Sequence, residues 1–145
     1  MLEVKIFTLY PGLFPGPLDI GIFKKAKENK IWKLKVINIR DYSKDNHGTV
    51  DDTPFGGGSG MLLRPDVLAS ALDENIKKGE KIIYLSPRGK KFDQNVARSL
   101  SKEKNLNLIC GHFEGVDQRL LETRNIEEYF LSLRVFDQHP QNDRR

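Results

Sequence analysis

Lys81 to Cys110 reads KIIYLSPRGKKFDQNVARSLSKEKNLNLIC, and this stretch decides the fold. It opens on Lys81 to Leu85 (KIIYL), a β-branched and aromatic run that reads as a strand. The polar turn SPRGKK follows. Phe92 to Leu100 reads as a short helix with Asp93 as its N-cap. Leu106 to Cys110 (LNLIC) is a further strand, followed at once by glycine.

The same alternation extends in both directions. Upstream, Val4 to Leu9 (VKIFTL) is a strand, and Pro11 to Pro17 (PGLFPGP) is a loop that proline and glycine keep out of regular structure. Leu18 to Asn29 places Leu18, Ile22, Phe23 and Ala26 at the spacing of an amphipathic helix. Trp32 to Ile39 (WKLKVINI) is a second strand. Arg40 to Gly60 reads as one long polar loop. Pro65 to Lys78 is a helix with proline in its first turn and Gly79 just past its end. Downstream, Val116 to Thr123 is the last helix. Strands alternating with helices predict an α/β fold with a mainly parallel sheet and helices on both faces.

Composition narrows the class. The chain has 145 residues, 38% hydrophobic and 30% charged, enough for one domain with a true core. It holds no apolar run of the roughly 18–20 residues that a membrane span needs, so no membrane partner is expected. Met1 to Tyr10 lacks the features of a signal peptide and reads as the first strand. One cysteine, Cys110, excludes an intrachain disulfide and suits a cytoplasmic location. The three histidines, His47, His112 and His139, lack metal-ligand spacing, so no metal is expected. The formal charge of +4 is compatible with a nucleic-acid partner.

Ligands of open α/β sheets bind at the carboxyl ends of the strands. Three segments fall there. The first is Tyr84-Leu85-Ser86-Pro87-Arg88-Gly89, where glycine lets another group approach the backbone closely; a plain strand-to-helix turn has the same composition. The second is Cys110-Gly111-His112-Phe113-Glu114-Gly115-Val116-Asp117. Its carboxylates suit ribose hydroxyls or an amine, or they simply start the next helix. The third is Val50-Asp51-Asp52-Thr53-Pro54-Phe55-Gly56-Gly57-Gly58-Ser59-Gly60-Met61. Four glycines in five residues, after paired aspartates, permit close approach of a bulky ligand such as a nucleotide. The aspartates suit a base, a turn cap or, least well, a metal ligand.

Taken together, these three segments resemble signatures of the bacterial tRNA (guanine-N1)-methyltransferases, members of the SPOUT superfamily of knotted methyltransferases. Phe7-Thr8-Leu9-Tyr10-Pro11 and Ile39-Arg40-Asp41-Tyr42 also fit. The resemblance covers residues 1 to 128. It implies methyl transfer from S-adenosylmethionine to N1 of the guanine 3′ of the tRNA anticodon, by a homodimer. It implies that three loops of a trefoil knot hold the cofactor, two of which fall here. The implied cofactor residues are Tyr84, Leu85, Ser86, Pro87 and Gly89 in one loop, and Gly111, Phe113, Glu114 and Gly115 in the other. Phe113 stands where the family usually has tyrosine. Asp51 is the candidate for the acid nearest the target base.

The resemblance breaks after Asn125-Ile126-Glu127-Glu128. The family continues into a third loop of the form S-I-G-D-Y-x-L-S-G-G-E; here residues 129–145 form a divergent tail without the paired glycines. The family's third loop, its linker arginine and its helical C-terminal domain, whose aspartate deprotonates the guanine, have no match. The expectation is a partial SPOUT domain over 1–128, with weakened cofactor binding and little transfer. The alternatives are a non-catalytic RNA- or cofactor-binding remnant, and a minimal domain in which Tyr129 to Phe136 replaces the lost strand.

Overall fold

The computed structural model describes residues 1–43, 51–52, 62–110 and 116–131. Five parallel strands form one sheet in the order β2-β1-β6-β5-β7. They are β1 (Leu2–Thr8), β2 (Trp32–Asn38), β5 (Lys81–Lys91), β6 (Asn105–Cys110) and β7 (Glu127–Phe130). A separate two-residue antiparallel ladder joins β3 (Asp51–Asp52) to β4 (Leu62–Leu63). The helices are α1 (Gly21–Glu28), α2 (Pro65–Asn75), α3 (Gln94–Ser101) and α4 (Gln118–Thr123).

Strand alternation divides the side chains between two faces. On one face Phe7, Leu9, Ile37, Ile39, Ile82, Tyr84 and Ile109 meet Val67, Leu68, Ala71 and Leu72 of α2 and Leu120 and Leu121 of α4. Each such fully buried aliphatic side chain contributes about 1.5–3 kcal/mol relative to exposure. The other face is bordered by α1, where Phe23 lines an apolar groove with Leu2, Val4, Ile6, Trp32, Leu34 and Leu108. The α/β class, the parallel sheet and its helical layers match the reading of the sequence.

The departures are local and have visible causes. Helix α1 is shorter than its apolar spacing predicts: Gly16–Asp19 form a 3-10 turn, and Ile20 is extended (φ −135°, ψ 161°) before the helix begins. Helix α2 ends at Asn75 rather than Lys78. There the Asn75 side chain donates to the Ala71 carbonyl at 2.7 Å and to the Tyr42 hydroxyl at 2.8 Å. The Asn75 carbonyl is itself taken by the Lys5 ammonium at 2.6 Å. The carbonyls of the last turn are thus taken by the Asn75 side chain and by Lys5; the chain leaves the helix, and Gly79 (φ +92°) serves the following turn instead. Within the predicted long loop, Ile39–Tyr42 is a 3-10 turn capped by the Asn38 side chain, which accepts from the Arg40 amide at 3.0 Å. The capping read from sequence holds at Asp93, whose carboxylate accepts from the Val96 amide at 2.9 Å.

Candidate functional site

Because all five strands run the same way, their carboxyl ends share one edge of the sheet. Strands β5 and β6 are neighbours there, with Tyr84 in register with Ile109. Leu85 and Cys110, the next residues, therefore lie side by side where the two sequence-predicted loops leave the sheet. Strand β6 ends at Cys110, immediately before Gly111. Gly111, Phe113, Glu114 and Gly115 lie outside the described residues, so the second loop is located by its point of departure alone.

The first loop is described throughout. Strand β5 does not stop at Leu85, as its sequence suggests, but continues to Lys91. Both Leu85 and Lys90 register with Tyr129 of β7, so Ser86, Pro87, Arg88 and Gly89 form an excursion between two pairs that share one partner. Lys90 and Lys91 carry no strand pattern of their own; pairing with Tyr129 and Phe130 makes them extended.

Each predicted residue has a distinct place. Tyr84 is 6% exposed and belongs to the core; burial, then the nearby Glu128 carboxylate, pushes its phenol above the usual range. Its ring is thus a packing element whose hydroxyl lies near Glu128 and Arg88 of the loop region. Leu85 is 40% exposed, an apolar side chain presented at the carboxyl edge. The Ser86 hydroxyl donates to the Glu128 carboxylate at 2.6 Å and accepts from the Arg88 amide at 3.1 Å. Pro87 is exposed at the excursion's turn. Gly89 is the close-approach glycine its sequence suggests, and the group that approaches is protein: a Cβ there would overlap the Glu128–Tyr129 peptide. For the third segment, the backbone of Asp51 pairs with Leu63, and its side chain is outside the described residues, as are residues 53–61.

The electrostatics of these strands and of α4 are those of a structural frame. Cys110 is a free cysteine whose thiol is raised by burial, which keeps it protonated and unreactive near neutral pH. Asp117 starts the helix: it caps α4, accepting from the Arg119 amide at 2.8 Å, and the Arg119 hydrogen bonds hold its carboxyl low. Burial pushes Glu127 up, but hydrogen bonds from Lys81 and Tyr129 outweigh it, and its carboxyl ends below the usual range. The Lys81 to Glu127 bond is 3.0 Å and the Tyr129 hydroxyl to Glu127 bond is 2.8 Å. Phe92 packs edge-on against Tyr129, with centroids 5.8 Å apart.

Sequence reasoning missed β7 as the partner of the first loop. Glu127–Phe130 is only four residues, two of them acidic, and carries no strand signature. The nearest expectation, a replacement strand over Tyr129 to Phe136, overlaps it only at Tyr129 and Phe130; residues 132–136 lie outside the described residues.

The family model described as tRNA (Guanine-1)-methyltransferase TrmD matches residues 2–134. The chain belongs to this family. The match takes in both loop origins and the whole of β7. Among curated relatives, a tRNA (guanine-N(1)-)-methyltransferase of Pelagibacter ubique is 67% identical over 128 residues, covering 88% of this chain and 56% of that protein. One from Wolbachia pipientis wMel is 46% identical over 137 residues, covering 90% and 58%. One from Bartonella tribocorum is 47% identical over 126 residues, covering 87% and 54%. The chain thus spans about half the length of the curated relatives it matches. Among the described residues, no helix of this TrmD-family chain is long and apolar enough to cross a membrane.

Proposed function

We propose that this chain acts in methyl transfer from S-adenosylmethionine to N1 of the guanine 3′ of the tRNA anticodon. The observation that carries the reading is the side-by-side departure of two loops from adjacent parallel strands, at Leu85 and Cys110, in a chain of this family. The residues present fit the cofactor. Leu85 offers an exposed apolar side chain, and residues 86–89 stand outside the β5–β7 register, leaving a polar main chain beside it. Main-chain donors and acceptors beside an apolar wall are the usual means of holding a nucleoside.

In this reading Leu85, Ser86, Pro87 and Gly89, with the backbone of Tyr84, form one wall of the cofactor site. Gly111, Phe113, Glu114 and Gly115 form the other, with Glu114 accepting from hydroxyls or the amine. Bound S-adenosylmethionine supplies an electrophilic methyl on a positively charged sulfur. Asp51 is assigned as the carboxylate nearest the guanine, whose N1 loses a proton as it gains the methyl. The sheet is the core of a SPOUT-type knotted domain. It works as a homodimer on tRNA in the cytoplasm.

The test combines two measurements on the chain: calorimetry with S-adenosylmethionine, and transfer of labelled methyl to an anticodon-arm RNA with product analysis. The expected product is 1-methylguanine, absent when that guanine is replaced by adenine. Label at another position would overturn the proposed substrate. Cofactor binding with no labelled product would favour the second reading, a cofactor-holding module without transfer.

A further inference from the structure

We infer that Glu128 is a positioning residue for the cofactor loop, latching the Ser86–Gly89 excursion onto β7. This rests on the cofactor reading above. The geometry leaves the excursion without strand pairing to fix it: its ends, Leu85 and Lys90, register with the same residue, Tyr129, and the four residues between them pair with neither neighbouring strand. Three contacts shape it, two of them to β7, and they form one chain of restraint. The Ser86 hydroxyl donates to Glu128 Oε2 at 2.6 Å, a short bond of the charge-assisted kind. The same hydroxyl accepts the Arg88 amide at 3.1 Å, closing the turn. Gly89 lies against the Glu128–Tyr129 peptide, where no side chain fits.

Glu128 therefore holds the loop at both ends of the turn: by its carboxylate at Ser86 and by its backbone at Gly89. The carboxylate acts through Ser86 rather than on the cofactor. A Gln at 128 keeps an acceptor oxygen for Ser86; an Ala does not.

The test uses calorimetry with S-adenosylmethionine and amide hydrogen exchange on the full chain, for the unsubstituted protein, Glu128→Gln, Glu128→Ala, Ser86→Ala and the double Ala variant. Losing a hydrogen bond to a charged group should raise Kd about ten-fold in either Ala variant, with little further loss in the double variant. Glu128→Gln, which keeps an acceptor but loses the charge, should recover part of the affinity and lie between the unsubstituted protein and the Ala variants. The Arg88 amide should exchange faster in both Ala variants, while unfolding midpoints move little. Ser86→Ala, altering a hydroxyl in the excursion, carries the test if Glu128→Ala does not fold. Unchanged affinity in the Ala variants, additive losses, or no rescue by Gln would overturn the latch. If the unsubstituted chain binds no cofactor, the cofactor reading fails; the Arg88 exchange rates then decide the latch on their own.

Discussion

Gly89 shows how one residue can be read correctly for its form and still conceal its partner. Glycine after Ser-Pro-Arg signals close approach, and the approaching group is the Glu128–Tyr129 peptide of the same chain. Gly89→Val should therefore destabilise the fold, by about 1–3 kcal/mol as an overpacked site does. A urea unfolding midpoint unchanged by the substitution would contradict the packing. Asp51 poses the opposite case: the sequence singles it out for a chemical role. If its carboxylate serves the guanine, Asp51→Asn should lower methyl transfer by about 10²-fold or more with an unchanged cofactor Kd. Equal transfer rates would remove Asp51 from the site. Tyr84 was legible as a strand residue beside the loop; that its ring is core depends on α2 and α4 closing over that face, which no local pattern encodes.

At the scale of elements, what was legible follows from periodicity and capping. Strands β1, β2 and β6 and the Asp93 cap were visible because burial and local hydrogen bonding write themselves into adjacent residues. Strand β7 was not, because its extended form comes from pairing with β5, more than forty positions away in register at Ile83 and Glu127. The β3–β4 ladder was missed because two residues on each side are too few to carry a strand pattern. Strand β7 is also tied by charge. Glu127 is depressed by Lys81 and Tyr129, so its contribution is complete at neutral pH and is lost as pH falls through the carboxylate range, below about pH 4.3. Lys81 is raised by the Glu127 hydrogen bond, so its contribution persists below its ordinary value and is lost only in strong alkali. Glu127→Gln should thus be slightly less stable than the unsubstituted chain at pH 7 and indistinguishable from it near pH 3. A difference that ignores pH would show that the pair does not act through charge. Asp73, held low by its Arg124 hydrogen bond, loses stability over the same acid window and should remain titratable in the variant.

For the whole molecule, the decisive property is direction. A parallel sheet gathers its carboxyl ends on one edge, and the strand order places β5 and β6 together, so loops distant in sequence leave the sheet at neighbouring positions. The alternation of strands and helices made this class legible. The order of the strands was not, since it depends on which apolar faces find each other. Leu68, fully buried under that sheet, should cost about 2–5 kcal/mol when replaced by alanine, lowering the thermal midpoint of the whole chain. A local loss confined to α2 would contradict a single cooperative core. The central claim is that this edge holds S-adenosylmethionine between the loops that leave β5 and β6. Calorimetry of the chain and of Gly111→Val with S-adenosylmethionine tests it most directly. Saturable binding is expected for the unsubstituted chain and none for a folded Gly111→Val variant, if the added side chain takes the cofactor's space. Equal affinity in the two proteins, or no binding to the unsubstituted chain, would contradict it.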